Sequence, residues 1–321
     1  MKRRVHRGAA LLAAMLTVTL VATFAAASLW QQWRSVEVEG ADRMRVQSGW
    51  ILGGALDWAR LILREDARAG NADHLAEPWA VPLQEARLAT FLAADRNVSV
   101  EGSDADNIFL SGQITDLQAK LNVTSLVQAA VVQPRQYEVF RRLFAALGLP
   151  EQQLARMADS LRFASDISAE NLSAPQAPLL PHRLEQLQWL GLAPETIAAL
   201  EPHVTILPRA TPLNLNTASA EAIYAVAQGI NMADAQLLVA RRQGQYFRSV
   251  ADALALLPAG AAFPSGTVAM NSQYFEVRGK LRIDKVVIEE RSIVHRNGLD
   301  IRIVTRERGA AESPAQVAGK R

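Results

Sequence analysis

The hydrophobic pattern of the chain begins with a long apolar run near the N-terminus. Residues 9–30 contain no charged side chain, and about 20 such residues allow an α-helix to cross the ~30 Å hydrocarbon core of a bilayer. The residues before the run include four basic side chains: Lys2, Arg3, Arg4 and Arg7. The positive-inside rule therefore predicts that residues 1–8 are a cytoplasmic leader and that the chain beyond Trp30 lies outside.

Helical periodicity continues beyond the apolar run. Apolar or small side chains recur at steps of about three, four or seven residues, as on one face of an amphipathic helix: Trp33, Val36, Gly40, Met44, Ile51, Ala55, Trp58 and Ile62. The pattern predicts one helix over residues 9–70, with residues 9–30 in the membrane and the remainder packed on a soluble domain. Because glycines lower helix propensity, the alternative is two helices separated by a loop near Gly40.

The middle of the chain predicts a few strands and then mainly helices. Residues 71–125 begin with a loop and continue with short extended segments from Ile108 onwards. Residues 126–265 alternate helical patterns with Pro and Gly breaks, which predicts a large helical insertion. Its prolines make residues 164–182 the predicted flexible stretch. The insertion divides into two predicted subdomains, residues 126–205 and 206–265.

The last part of the chain predicts β-structure. Apolar and polar side chains alternate from Phe275, and Asn297-Gly298 separates two further alternating segments, which is a strong hairpin signal. Residues 266–308 are therefore predicted to form three closing antiparallel strands, and residues 309–321 a disordered tail. Together the elements predict an α+β fold with a long N-terminal helix, an antiparallel sheet and a helical insertion.

Composition narrows the possible chemistry. The 321 residues include no cysteine, which excludes a disulfide, a thiol nucleophile and a cysteine zinc site. The net charge of +2 and the 50% hydrophobic content are typical of a folded globular protein. No H-E-x-x-H, G-x-S-x-G or P-loop motif occurs, and the histidines are isolated from one another: His6, His74, His182, His203 and His295. We therefore predict that the chain is not an enzyme and has no catalytic residue and no metal site.

Three interpretations of the N-terminal segment remain open. A secretory signal peptide would use the small residues 25–27 as its cleavage site, and a second possibility is a plain uncleaved anchor. In the third, Gly8 ends the basic stub immediately before Ala9. This arrangement resembles the type IV pilin-like leader, which prepilin peptidase cuts after its glycine. The apolar helix then stays on the mature protein.

A short polar motif precedes the helical insertion. The residues that match the pattern D-x-Q-G-K/R-x-N-L-N are Asp116, Gln118, Lys120 and Asn122, with Ala119 in place of the glycine. A pilin-like leader and long helix come before the motif, and a helical insertion and closing strands follow it. In this order, the features resemble the K-type minor pseudopilin of the bacterial type II secretion system (general secretion pathway protein K). The resemblance covers nearly the whole chain.

The resemblance implies a structural role without catalysis. It implies cleavage between Gly8 and Ala9 by prepilin peptidase, a single span in the bacterial inner membrane, and a bulk that is periplasmic. The implied partners are the I-type and J-type minor pseudopilins of the pseudopilus tip, the other pseudopilins and the inner-membrane assembly platform. Most pseudopilins carry Glu at the fifth mature position, which is Ala13 here. The absence of this glutamate fits a subunit that has no other subunit above it in the filament. The alternative is that Ala13 is simply one more apolar residue of the membrane anchor.

Some members of the family bind calcium, but we do not expect this chain to have their calcium site. Family members related to the enteric proteins hold calcium with acidic strings, whereas residues 159–166 supply few carboxylates here. Calcium needs about six to eight oxygen ligands. A second acidic cluster lacks the EF-hand glycine and final glutamate, so we interpret it as a solvated turn: Glu101, Asp104, Asp106 and Asn107. We predict no cofactor.

The second helical subdomain raises an alternative function. Its residues from Leu213 through Gly229 to Val250 resemble a helix-hairpin-helix (SAM-like) module, which binds the DNA backbone through amides at a Gly-rich hairpin. The hairpin here, residues 228–231, lacks the second glycine, and three arginines are balanced by three acids: Arg241, Arg242, Arg248, Glu221, Asp234 and Asp252. The alternative is thus a membrane-anchored, competence-like DNA-binding protein. The charge balance favours a structural module and no nucleic-acid partner.

Overall fold

The computed structural model describes residues 7–70, 72–93, 107–168, 178–284 and 286–310. The chain divides into two compact units, residues 1–54 and residues 55–321. Several predicted features fall outside the described residues. These are the basic side chains of residues 2–4, most of the acidic turn around residue 104, the central part of the predicted flexible stretch and nearly all of the predicted tail.

Helix α1 runs from Arg7 to Ala69. Gly40 lies inside it, so the alternative of two helices with a loop at this glycine is wrong. Among the described residues, α1 is the one helix long and apolar enough to cross a membrane, with a mean hydropathy of 2.2 in its most apolar window. Its hydroxyl groups donate to backbone carbonyls three residues earlier, which satisfies them without water: Thr17, Thr19 and Thr23. In length and composition, α1 suits a single membrane span.

The C-terminal part of α1 packs on the sheet of the second unit through Leu56, Ala59 and Leu63. These residues share one helical face because they are spaced three and four apart. The predicted apolar stripe was wrong by one position, since Trp58 is 50% exposed. Two neighbouring faces of this segment are apolar, and periodicity alone does not distinguish them. The same buried cluster contains Trp79, Ile114, Phe275, Val277, Val294 and Ile301.

Five antiparallel strands form the sheet. They are β1 (Leu83–Arg87), β2 (Ile108–Asp116), β3 (Tyr274–Ile283), β4 (Val286–Asn297) and β5 (Asp300–Ala310), in that spatial order. Strands β3 to β5 confirm the three predicted closing strands. The hairpin pairs Asn297 with Asp300, and Gly298 has a φ of 58°, a left-handed conformation that glycine adopts readily. Strand β1 was not predicted, and β5 continues into the predicted tail as far as Ala310.

The helical part of the chain is inserted between two neighbouring strands. Asp116, the last residue of β2, pairs with Phe275 near the start of β3. The chain therefore leaves the sheet and returns to it at the same end. The described α-helices after β1 are α2 (Leu88–Ala93), α3 (Pro134–Ala146), α4 (Glu151–Ala164), α5 (Pro194–Leu200), α6 (Ala220–Val226), α7 (Met232–Gly244) and α8 (Val250–Leu254), and the longest described 3-10 helix is Leu184–Leu190. Of these, α2 precedes β2, and the rest belong to the insertion.

One hydrophobic core joins both predicted helical subdomains. Phe140 and Phe144 of α3 belong to the same buried cluster as Ile223 of α6 and Leu238 of α7. Short strand pairs tie the helices together: Leu121–Asn122 with Val204–Thr205, Val127–Gln128 with Val131–Val132, and Leu213–Asn214 with Val268–Ala269. The predicted α+β class with a helical insertion is confirmed.

Candidate functional site

The candidate functional site lies where β2 ends and the helical insertion begins. The carboxylate of Asp116 accepts the backbone N–H of Gln118 at 2.7 Å and so caps the 3-10 turn Leu117–Ala119. Ala119 is not one of the described residues with a positive φ. The turn therefore does not need the glycine that the family pattern carries at this position.

The Asp116 carboxylate also contacts distant parts of the insertion. Its Oδ2 atom accepts hydrogen bonds from Nδ2 of Asn214 at 3.0 Å, Oγ1 of Thr217 at 2.6 Å and Oγ of Ser272 at 2.7 Å. Asp116 is buried. Burial raises the pKa of Asp116, and the hydrogen bonds from Thr217, Ser272 and the N–H of Gln118 oppose that rise. One carboxylate thus joins β2 to two segments far along the chain.

Gln118 and Lys120 extend the same junction. Nε2 of Gln118 donates to the carbonyl oxygen of Pro212 at 3.1 Å, and Oε1 of Gln118 accepts the N–H of Gln273 at 2.6 Å. The ammonium group of Lys120 donates to the carbonyl oxygen of Glu201 at 2.7 Å, and burial lowers the pKa of Lys120. Both side chains therefore bind the backbone of the insertion or of the segment that returns from it.

Asn122 uses both ends of its side-chain amide. Its Oδ1 atom accepts the N–H groups of Thr124 and Leu207, each at 3.1 Å. Its Nδ2 atom donates to the carbonyl oxygen of Arg209 at 2.6 Å and to Oγ1 of Thr211 at 3.3 Å. We call the four motif side chains the motif cluster: Asp116, Gln118, Lys120 and Asn122. It fastens the insertion to the end of β2.

The partners of the motif cluster were not identified from the sequence. Asn214 and Thr217 lie in the segment that resembles a helix-hairpin-helix module, and Ser272 lies just before β3. The available signal was the presence of Asn214 and Asn216 between apolar residues of a segment that proves to be buried. Buried polar side chains need hydrogen-bond partners, but one sequence does not state which partners they have.

Three carboxylates lie close together beside the motif cluster. Oxygen atoms of Asp66, Asp73 and Glu77 lie within 4.8 Å of one another, and these residues form the one such group of three metal-ligating side chains in the described parts of the chain. Arg296 pairs with Asp66 at 2.7 Å and also with Asp73, while Glu77 accepts the indole N–H of Trp79 at 2.8 Å. A guanidinium and neutral donors already engage these carboxylates, so the cluster is a poor cation site.

The stretch that corresponds to the calcium-binding string of the family does not fit calcium. Asp159 is exposed on α4. Neither Asp159 nor Asp166 belongs to a described group of three metal-ligating side chains, whereas calcium takes about six to eight oxygen ligands. We derive no calcium chemistry for this chain, and the absence of a cofactor stays a prediction.

The hairpin of the helix-hairpin-helix-like module is engaged within the protein. The N–H and C=O of Gln228 pair with Ala262 at 2.8 and 3.0 Å, and the N–H of Asn231 donates to the carboxylate of Asp234 at 2.9 Å. Arg242 donates to a backbone carbonyl inside the module. Phosphate binding needs free N–H groups and positive charge. Two of the hairpin amides and one arginine are therefore committed to internal contacts.

The residues with predicted roles at the N-terminus lie in the first turns of α1. Gly8, Ala9 and Ala13 are all helical, and Ala13 is exposed. Their roles in processing and in filament position stay predictions.

Comparison with known proteins decides the family. Two family models described as type II secretion system, protein K, match the chain, one over residues 119–209 and the other over residues 213–277. These matches support a type II secretion system protein K. The matched ranges include Lys120 and Asn122, all of the described insertion helices and the first part of β3.

Curated members of the K family resemble the chain over almost its entire length. The type II secretion system protein K of Pseudomonas aeruginosa is 27% identical, with 99% of this chain and 97% of the relative covered. The protein K of Pectobacterium carotovorum is 26% identical, with coverage of 95% and 97%. The protein K of Dickeya chrysanthemi is 24% identical, with coverage of 96% and 98%. The similarity to protein K and the apolar helix α1 together indicate a single-pass, membrane-anchored protein.

A solved structure has the same fold as this chain. It is a chain of the GspK-GspI-GspJ complex from the type 2 secretion system of enterotoxigenic Escherichia coli. The TM-score is 0.63 at 18% sequence identity, and the match covers 84% of this chain and 99% of the other. The pilin-like α+β fold is thereby confirmed.

Proposed function

We propose that this chain is the K-type minor pseudopilin at the tip of a periplasmic pseudopilus, where it assembles with the I-type and J-type minor pseudopilins for protein export. The observation that carries the proposal is the position of the helical insertion. The insertion leaves and rejoins the sheet beside Asp116 and Phe275. Arg296 brings this end of the sheet next to Asp66, near the C-terminal end of α1. A domain of this size beyond the end of the helix obstructs the stacking of another subunit above it.

The hydrogen bonds of the motif cluster support a structural role without catalysis. Both amide ends of Asn122 and the carboxylate of Asp116 are engaged by groups of the same chain. A catalytic acid, base or nucleophile must reach a substrate. These buried side chains instead hold one part of the protein on another.

The proposed location is the inner membrane, with the leader in the cytoplasm and the bulk of the chain in the periplasm. The basic residues before the apolar run support this orientation. In this location, the other pseudopilins and the assembly platform of the inner membrane are within reach as further partners.

Cleavage by prepilin peptidase between Gly8 and Ala9 completes the proposal. Glycine leaves the scissile peptide uncrowded where the helix begins. We expect mass spectrometry of membrane-derived protein to find Ala9 as the mature N-terminus and Gly8→Leu protein to stay uncut. An N-terminus at Ser28 would indicate a signal peptide, and Met1 an uncleaved anchor.

The test of the assembly is co-purification. A tagged form of the full chain is expressed with the I-type and J-type minor pseudopilins of the same system, extracted in mild detergent and captured. We expect all three proteins in one complex, and secretion lost from a strain without this chain and restored by its return. Recovery of the I-type and J-type proteins as a pair that excludes this chain would refute the proposal.

A further inference from the structure

A second buried polar group adjoins the motif cluster, and Asp73 is its centre. The N–H of Asp73 donates to the carbonyl oxygen of Met270 at 2.8 Å. Its Oδ2 atom accepts the N–H of Ser272 at 2.6 Å, and its carbonyl oxygen accepts Nδ2 of Asn214 at 3.1 Å. Asp73 is only 2% exposed. It therefore binds the insertion at Asn214 and the segment that returns from the insertion.

Arg296 on β4 connects this centre to α1. Its Nη1 atom donates to Oδ2 of Asp66 on α1 at 2.7 Å, while its Nη2 atom donates to both carboxylate oxygens of Asp73 and to the carbonyl oxygen of Ser272. The guanidinium also lies over the ring of Phe275, 4.7 Å from the centroid. Arg296 thus touches the helix, the sheet and the loop that carries Asp73.

The two buried groups form one continuous network. The amide of Asn214 contacts the carbonyl oxygen of Asp73 and the carboxylate of Asp116. The hydroxyl of Ser272 donates to the same Asp116 carboxylate at 2.7 Å, which also accepts the hydroxyl of Thr217. Hydrogen bonds therefore run without a break from Asp66 on α1 to Thr217 in the insertion.

We propose that Asp73 is a coupling residue. Through it, the packing of the C-terminal end of α1 on the hairpin of β4 and β5 and the docking of the helical insertion become one cooperative event. The Asp73 carboxylate accepts from Nη2 of Arg296 and from the N–H of Ser272, and the Asp66 carboxylate lies beside it. Asparagine has nearly the same shape but turns an N–H₂ group towards these donors. Buried networks lose more than one contact when a central acceptor is removed. In the asparagine variant, the packing of the α1 end and the docking of the insertion accordingly weaken together.

The coupling is a property of the fold and does not depend on the proposed function. Its use at a pseudopilus tip does rest on that function, since there it would transmit displacement of the anchored helix to the insertion. A negative result in hydrogen exchange would refute the coupling but not the tip position, because the measurement uses the isolated protein and no partner.

Hydrogen exchange measured by mass spectrometry on the full chain in detergent tests the proposal. We expect Asp73→Asn to increase the rate of amide hydrogen exchange at least about threefold, because local opening becomes easier. The increase should occur in two regions at once: residues 204–217 of the insertion and residues 63–69 of α1. The matched control is Asp57→Asn, which removes an exposed carboxylate from α1 and leaves both regions unchanged. Faster exchange in only one region, or in neither, would overturn the proposal.

A second variant keeps the test decisive if Asp73→Asn does not fold. Thr217→Val removes one hydroxyl at the insertion end of the network and preserves the shape of the side chain. We expect faster exchange at residues 63–69 of α1 as well as around Thr217. A change confined to the insertion would show that the two ends are independent.

Discussion

The side-chain oxygen of Asn122 accepts the backbone N–H of Leu207, 85 residues further along the chain, at 3.1 Å. This contact shows what the family motif does. Asn122 belongs to the segment that leaves the sheet, and Leu207 lies at the start of the second predicted helical subdomain. The motif residue therefore fixes the middle of the insertion to its beginning.

The first prediction concerns Asn122. Asn122→Leu removes the partners of the buried N–H of Leu207 and of the partly buried carbonyl oxygen of Arg209. Each such loss costs about 1 to 3 kcal/mol, so we expect a loss of about 3 kcal/mol in the free energy of unfolding. This corresponds to about 6 to 12 °C in the melting temperature. The measurement is thermal unfolding of the full chain in detergent.

The control for Asn122 is Gln152→Leu, which makes the same kind of change at an exposed position of α4. Its melting temperature should stay within about 2 °C of the parent, as for most surface substitutions. If Asn122→Leu and Gln152→Leu have the same melting temperature, the motif does not fasten the insertion.

The second prediction concerns Glu276 on β3 and pH. Burial alone would raise the pKa of Glu276, but Arg291 and Arg278 together lower it below its usual value. A carboxyl group with a lowered pKa in the folded state contributes stability above its unfolded pKa of about 4.3, and this contribution is lost as the pH falls through the lowered pKa. Glu276 therefore stabilises the fold at neutral pH.

We accordingly expect Glu276→Gln to lower the free energy of unfolding by about 1 to 2 kcal/mol at neutral pH, a value reduced by the exposure of the two arginines. The difference from the parent should shrink as the pH falls below about 4. Thermal unfolding across a pH series measures it, with the exposed Glu85→Gln as the matched control. A difference that is independent of pH would contradict the assignment.

The third prediction concerns nucleic acid. Because the hairpin amides of Gln228 and Asn231 have internal partners, we expect the full chain in detergent not to retard duplex DNA at physiological salt. The assay is an electrophoretic shift over a series of salt concentrations. Retardation that weakens steeply with salt would indicate phosphate contacts and would restore the DNA-binding alternative.

The fourth prediction concerns Ala13. An unpaired carboxylate in the bilayer costs at least about 2.5 to 3.5 kcal/mol, and a subunit with none above it has no partner charge for it. We expect Ala13→Glu to reduce membrane insertion or tip assembly, and Ala13→Leu to have no effect. Membrane fractionation and co-purification with the other minor pseudopilins measure these outcomes. Enhanced incorporation of the glutamate variant along pseudopili would contradict the prediction.

Local sequence patterns predicted much of the fold. The uncharged run, the Asn297-Gly298 signal and the alternation from Phe275 each depend on neighbours in the sequence, and the helix and the hairpin strands follow directly from them. The centre of the buried face of α1 was missed by one position, because Trp58 and Leu56 are both apolar and only packing on the sheet selects between them.

Reasoning from the sequence identified only part of the candidate functional site. Asp116, Gln118, Lys120 and Asn122 were found through family resemblance, which marks residues without stating their partners. Their contacts with Asn214, Thr217 and Ser272 depend on how the insertion folds back on the sheet. Arg296 and Asp73 carried no signal at all, since a single Arg and a single Asp are ordinary residues until the fold places them together.

The location of the chain along isolated pseudopili distinguishes a tip subunit from a shaft subunit. Pseudopili are assembled with full-length protein that carries a small label in its periplasmic part, and the label is then imaged by electron microscopy. A minor pseudopilin at the tip gives a signal at one end of each filament. A signal spread along the filament length would rule out the tip position.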